Sequence, residues 1–103
     1  MTLQELKKRC DDKSFRYAYG KFKKPTEPPH LVATTVDTDN FMADNKVYYS
    51  KTPIQLDYTY IDKNLEEQSK IEKEILGDIP WNKTVETYLQ DEDVWQVSYF
   101  FEI

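Results

Sequence analysis

From Ile54 to Tyr60 an apolar or aromatic residue stands at every second position: Ile54, Leu56, Tyr58 and Tyr60 alternate with Gln55, Asp57 and Thr59. A period of two belongs to a strand with one buried face, and it is incompatible with an amphipathic helix. Such a strand needs a sheet to pair in and a covering layer above its apolar face. It closes a longer stretch, Asp37–Ile61 (DTDNFMADNKVYYSKTPIQLDYTYI), around which the rest of the chain is organised. That stretch reads as a polar loop over Asp37–Asn45, a strand at about Lys46–Ser50, a tight turn near Lys51-Thr52, and the strand Pro53–Ile61.

The covering layer is legible on either side. Thr2 and Glu5 have the spacing of a capping box, and Leu3, Leu6 and Cys10 fall on one face of the short helix that follows. Asp11-Asp12 ends it. Asn64 and Glu67 form a second N-cap pair, opening a helix that packs through Leu65, Gln68, Ile71, Ile75 and Leu76. Glu66, Glu67, Lys70, Glu72, Lys73 and Glu74 lie mainly on its solvated side, and Gly77 with Pro80 beyond it marks the stop. Phe15, Tyr17 and Tyr19 alternate with Arg16, Ala18 and Gly20 as a first strand. Lys23-Lys24-Pro25-Thr26-Glu27-Pro28-Pro29 is a stiff, extended connection that neither a helix nor an inner strand accommodates. His30 then opens the strand Leu31–Val36. The chain ends in strands at about Trp81–Leu89 and Val94–Phe101, the last apolar on both alternating sets, as an inner strand would be. The expected architecture is α+β, a single domain over residues 1–103. It has a mainly antiparallel sheet of about five or six strands, with two helices packed on one face.

Composition excludes several function classes. The chain has 103 residues and a formal net charge of −5. No specific nucleic-acid binding is expected, because Lys21, Lys23 and Lys24 are the nearest approach to a basic patch. No apolar run is long enough for a membrane span, and the N-terminus lacks a signal peptide's apolar core. One cysteine, Cys10, leaves no internal disulfide and fits synthesis in a reducing cytoplasm. It reads as a small packing residue, and His30 as structural or solvent-exposed. Two glycines argue against a glycine-rich phosphate loop. The acidic loop has Asp37 and Asp39 at the first spacings of a calcium loop, but Met42 and Tyr48 stand where Gly and Glu are required. No nucleophile–base pair is in view. No catalytic residue, metal or cofactor is therefore assigned. The loop reads instead as an interaction element, in which Phe41 and Met42 are too apolar to leave in water without a partner.

Three segments carry a resemblance: YAYGKFKKPTEPPHLVA from Tyr17, DNFMADNKVYY at Asp39–Tyr49, and LDYTYIDKNLEEQSKIEKEI at Leu56–Ile75. With the aromatic last strand they span most of the chain. The sequence resembles the tail-completion or tail-terminator (head-to-tail joining) proteins of long-tailed bacteriophages and Gram-positive prophages. The resemblance implies a sheet with two helices and a homo-oligomeric ring, usually hexameric, at the head–tail interface of the virion. It implies two further partners, the major tail protein and a head-completion or connector protein of the neck, and it implies no catalysis. Asp39, Asn40, Phe41, Met42, Asp44 and Asn45 would form the contact loop. Head-completion proteins of the same neck share this size and composition. A small acidic adaptor or inhibitor of a host protein is the rival from another class. Replacing Phe41 and Met42 by Ser is expected to leave tails unterminated or unjoined under the electron microscope. Normal particles from that variant would remove the loop from the assignment.

Overall fold

The computed structural model describes residues 1–36 and 51–103, so the loop expected at Asp37–Asn45 and the strand expected at Lys46–Ser50 lie outside the described residues. The elements run α1 (Leu3–Asp12), β1 (Arg16–Tyr19), β2 (His30–Thr35), β3 (Pro53–Tyr60) and α2 (Leu65–Lys70), which continues as a π-turn (Ile71–Ile75). Then come β4 (Trp81–Lys83), β5 (Thr87–Leu89) and β6 (Val94–Glu102). All six strands share one sheet, ordered β1-β2-β3-β6-β4, with β5 also paired to β6. Every pair is antiparallel except β1 with β2. The expected α+β class holds, with helices packed on a largely antiparallel sheet.

The alternation of β3 sets the core. Ile54, Leu56, Tyr58 and Tyr60 are all buried, and they stand opposite Phe101, Tyr99, Val97 and Trp95 of β6. On the other flank Leu31 and Ala33 of β2 oppose Tyr58 and Leu56. Leu6 and Cys10 from α1, and Ile71, Ile75 and Leu76 from the second helical segment, complete the same cluster. Each fully buried Leu or Ile contributes about 1.5–3 kcal/mol relative to exposure. The tight turn expected near Lys51-Thr52 is instead more ladder: Thr52 exchanges backbone hydrogen bonds of 2.7 and 3.0 Å with Ile103.

Both caps form as expected, Thr2 accepting from the Glu5 N–H at 3.1 Å and Asn64 from Glu67 at 3.0 Å. The end of α1 is a Schellman motif. Ser14 adopts φ 65°, its N–H bonds the Asp11 carbonyl, and the Phe15 N–H bonds Cys10 at 3.0 Å. Phe15 thus closes the helix, packing beside Cys10 in the core, and the strand starts one residue later than the alternation suggests.

The second helix departs from its expected face at one end. Leu65 is 72% exposed. It lies roughly a quarter-turn from the stripe of Gln68, Ile71 and Ile75. At the other end the π-turn, closed by Leu76 N–H to Ile71 carbonyl at 3.0 Å, widens the spiral. The neighbours Ile75 and Leu76 can then both be fully buried. Arg9 ties the two helical segments together. Its guanidinium bonds the Ile75 carbonyl at 2.8 Å and grips Asp78 through two bonds of 2.8 and 3.0 Å. A cation on the last carbonyls of a helix also favours the macrodipole.

The strand expected at Trp81–Leu89 is broken into β4 and β5. Lys83 pairs with Tyr99 and Thr87 with Gln96, so Thr84, Val85 and Glu86 oppose two residues of β6. That is a β-bulge on an edge strand, and it reverses which side chains face the helices.

Gly77 stops the helix as expected, but without a left-handed φ; a Cβ there would collide with the Lys73 carbonyl. Gly77→Ala should therefore lower stability by about 1–3 kcal/mol, read from the midpoint of urea unfolding. An unchanged midpoint would show that the turn has room to relax.

Candidate interaction surface

Three buried tyrosines on the helix-facing side of the sheet each donate their hydroxyl to a carboxylate. Tyr58 donates to Glu67 at 2.7 Å, Tyr99 to Glu72 at 2.8 Å, and Tyr60 to Glu86. Glu67 and Glu72, expected mainly on the solvated side, are inward anchors of the second helical segment. The bulge turns Glu86 to the side on which Tyr60 lies. Burial, reinforced by these carboxylates, raises the Tyr58 and Tyr99 hydroxyls above their ordinary values, so both stay protonated donors.

Beyond this row the helices end and the sheet continues. Trp95 (39% exposed) and Tyr88 (42%) form a tilted pair with ring centroids 5.3 Å apart. The Tyr88 hydroxyl donates to Asp93 at 2.5 Å, which fixes its ring beside the acidic turn 90–93. Tyr60, Lys63, Glu86 and Trp95 line a shallow hollow of about 300 Å³, floored by the Lys63–Glu86 ion pair at 2.8 Å. Val85 on the bulge is 82% exposed. Fixed aromatic rings, half wet and cheap to immobilise, are what contact surfaces use.

The other face of the sheet is polar at its centre. Ser98 and Gln55 both donate to one oxygen of Asp57, at 2.6 and 2.9 Å. At its corner lies the proline-rich connection. Arg16 donates to the Glu27 and Pro29 carbonyls at 3.2 and 3.4 Å, and Phe22 meets His30 edge-on at 5.0 Å. The Pro28–Pro29 bond is cis. His30 is half-buried, and burial lowers its pKa. Cys10 is fully buried, and burial pushes its thiol up to about 12, so it is a packing residue.

Asp39, Asn40, Phe41, Met42, Asp44 and Asn45 fall outside the described residues. Among the described residues no group of three or more His, Cys, Asp or Glu is placed to hold a metal ion, and no helix is long and apolar enough to cross a membrane. No family model, curated protein or solved structure matches this chain.

The Trp95–Tyr88 pair was not legible as a surface. Trp95 shares the alternating set of Val97, Tyr99 and Phe101, and nothing in that pattern says where the covering helices stop. The parity change between Trp81 and Tyr88 was the available signal, since a bulge is needed to put both on one side.

Glu72 offers a test of the tyrosine row. Burial alone would raise its carboxyl, but bonds from Lys83 at 2.7 Å and from Tyr99 outweigh burial and hold it below its ordinary value. A carboxyl depressed in the folded state adds stability above its unfolded pKa and loses it as pH falls through the folded one. Glu72→Gln should therefore be less stable than the parent at neutral pH. The gap should close as pH drops below the ordinary carboxylate range, about 4. A gap independent of pH in urea titrations would remove the charge from the account.

Proposed function

We propose that the protein is a structural component of the head–tail joint of a long-tailed bacteriophage, assembling as a ring that ends tail-tube polymerisation and joins tail to head. Its partners on this reading are further copies of itself, the major tail protein and a head-completion or connector protein of the neck. The work is done by contact surfaces.

One observation carries the reading. Of the segments that carry the resemblance, Asp39–Tyr49 lies outside the described residues; the others include a Tyr- and Thr-rich strand running into an acidic helix, joined by the aromatic last strand. In the fold that strand, helix and last strand are β3, the second helical segment and β6, which supply most of the core. A sheet with two helices is also the layout the resemblance implies. The exposed Trp95–Tyr88 pair supports a protein that acts through its surface. The acidic balance is tolerable in a ring through which DNA must slide without sticking.

Electron microscopy of phage particles made without this protein is the test. Tails of uncontrolled length, apart from filled heads, are expected. Tails of normal length beside unattached heads would move the protein to the head-completion role. Intact, infectious particles would overturn the structural assignment and favour a small acidic adaptor.

A further inference from the structure

The described surface carries two features that complement each other and sit at opposite edges of one sheet. The first is the connection between β1 and β2. Lys21, Lys23, Lys24 and Pro25 are exposed there, and none of the three lysines forms an ion pair among the described residues. Arg16 pins the far end of this connection through the Glu27 and Pro29 carbonyls. The connection is not the extended segment the sequence suggests: it bends at Lys23-Lys24 and at Pro28-Pro29, and the Thr26 hydroxyl donates to the Lys24 carbonyl at 3.0 Å, so its shape is set before any partner arrives. The second feature is the Trp95–Tyr88 shelf on β6 and β5, followed directly by the exposed acidic turn Asp91, Glu92 and Asp93. Asp91 and Glu92 form no ion pair among the described residues.

We infer that the basic, proline-rich connection of one copy docks on the aromatic shelf and acidic turn of a second copy of the same chain. Proline rings lie flat on aromatic faces, and neither side loses much conformational freedom on contact. The lysines before Pro25 would meet Asp91 and Glu92 at the rim, where opposite charges set partner choice and encounter rate. The occupant is not the chain's own loop. Its far end enters β2 at His30, three strand spacings (about 14 Å) from β5 and near enough for the Glu92 charge to act on the imidazole, but Arg16 holds the Glu27 and Pro29 carbonyls at that edge, and Lys21, Lys23 and Lys24 precede this anchor on the β1 side. The two features are different patches, so the contact is head-to-tail. Repeated with rotation, such a contact closes into a ring.

The inference deepens the ring assignment and rests on it for its biological setting, but its test is made on the isolated full chain. Nuclear magnetic resonance of the labelled chain in a dilution series follows the Trp95 indole together with the Lys23 and Lys24 amides. Both sets should move with concentration, and the Trp81 indole should stay still. Asp91→Lys with Glu92→Lys, both exposed, should weaken the association by about tenfold. Lys23→Glu with Lys24→Glu should do the same, and mixing the two charge-reversed chains should restore it. Signals that do not move at millimolar concentration would overturn the inference, as would movement at other surfaces alone or a failure of the mixed chains to recover. A ring built through other surfaces would give that negative result while leaving the particle phenotype intact, so the two failures are distinguishable.

Discussion

The hydrogen bonds from buried tyrosines to glutamates fix how the layers sit on one another. A tyrosine ring in a core contributes large apolar area, but its hydroxyl needs a partner once water is gone. Tyr58, Tyr99 and Tyr60 meet that need with Glu67, Glu72 and Glu86, from the first turn of α2, from the π-turn, and from the bulge. Apolar packing alone would let the second helix slide or rotate over the sheet at little expense. Directional bonds at two points along it remove that freedom. Glu72 also accepts from Lys83 of β4, so the helix is linked to both the middle of the sheet and its edge. The Arg9 clamp on Ile75 and Asp78, with the Lys13–Glu74 pair at 2.9 Å, ties the helical layer to itself.

The two faces of the sheet follow from this. The side under the helices is apolar and closed. The other places Asp57 at its centre, with Ser98 and Gln55 donating to it. A carboxylate there, held by two neutral donors, argues against that face being the core of anything further. Among the described residues, part of the exposed apolar surface lies at the sheet's end, where Trp95 and Tyr88 continue the helix-facing side; Tyr19, Ile61 and Leu65 are exposed elsewhere.

Much of this was legible in the sequence because alternation and capping are local. Ile54 to Tyr60 named a strand and its buried face, though not its central place in the sheet. Thr2–Glu5 and Asn64–Glu67 named both helix starts to the residue. What local pattern does not encode is which neighbour a side chain meets. Glu67 and Glu72 read as solvated because a helix in isolation gives them no tyrosine to meet. Leu65 read as packed because the helix face was extrapolated through its first turn. The break in Trp81–Leu89 escaped for a related reason: a bulge is a property of two strands, and one strand's composition does not announce it. The residues singled out for contact, from Asp39 to Asn45, lie outside the described residues, whereas the aromatic pair within them came from tertiary placement alone.

The bulge also bears on how open edges are managed. An unpaired edge strand invites any extended chain to add to it. Here β4 and β5 are three residues each and are offset by the bulge, so neither offers a long straight ladder. At the other edge β1 is four residues long and its parallel partner runs on without it. Among the described residues neither edge therefore offers a long ladder for backbone pairing, which leaves side-chain chemistry to discriminate what approaches. The acidic turn beside Trp95 and Tyr88 repels a second shelf and attracts a basic segment. The lysines before Pro25 repel their own kind in the same way. In the proposed contact like edges would thus be kept apart and unlike edges drawn together, a charge arrangement that would favour a directional chain of copies over a symmetric pair.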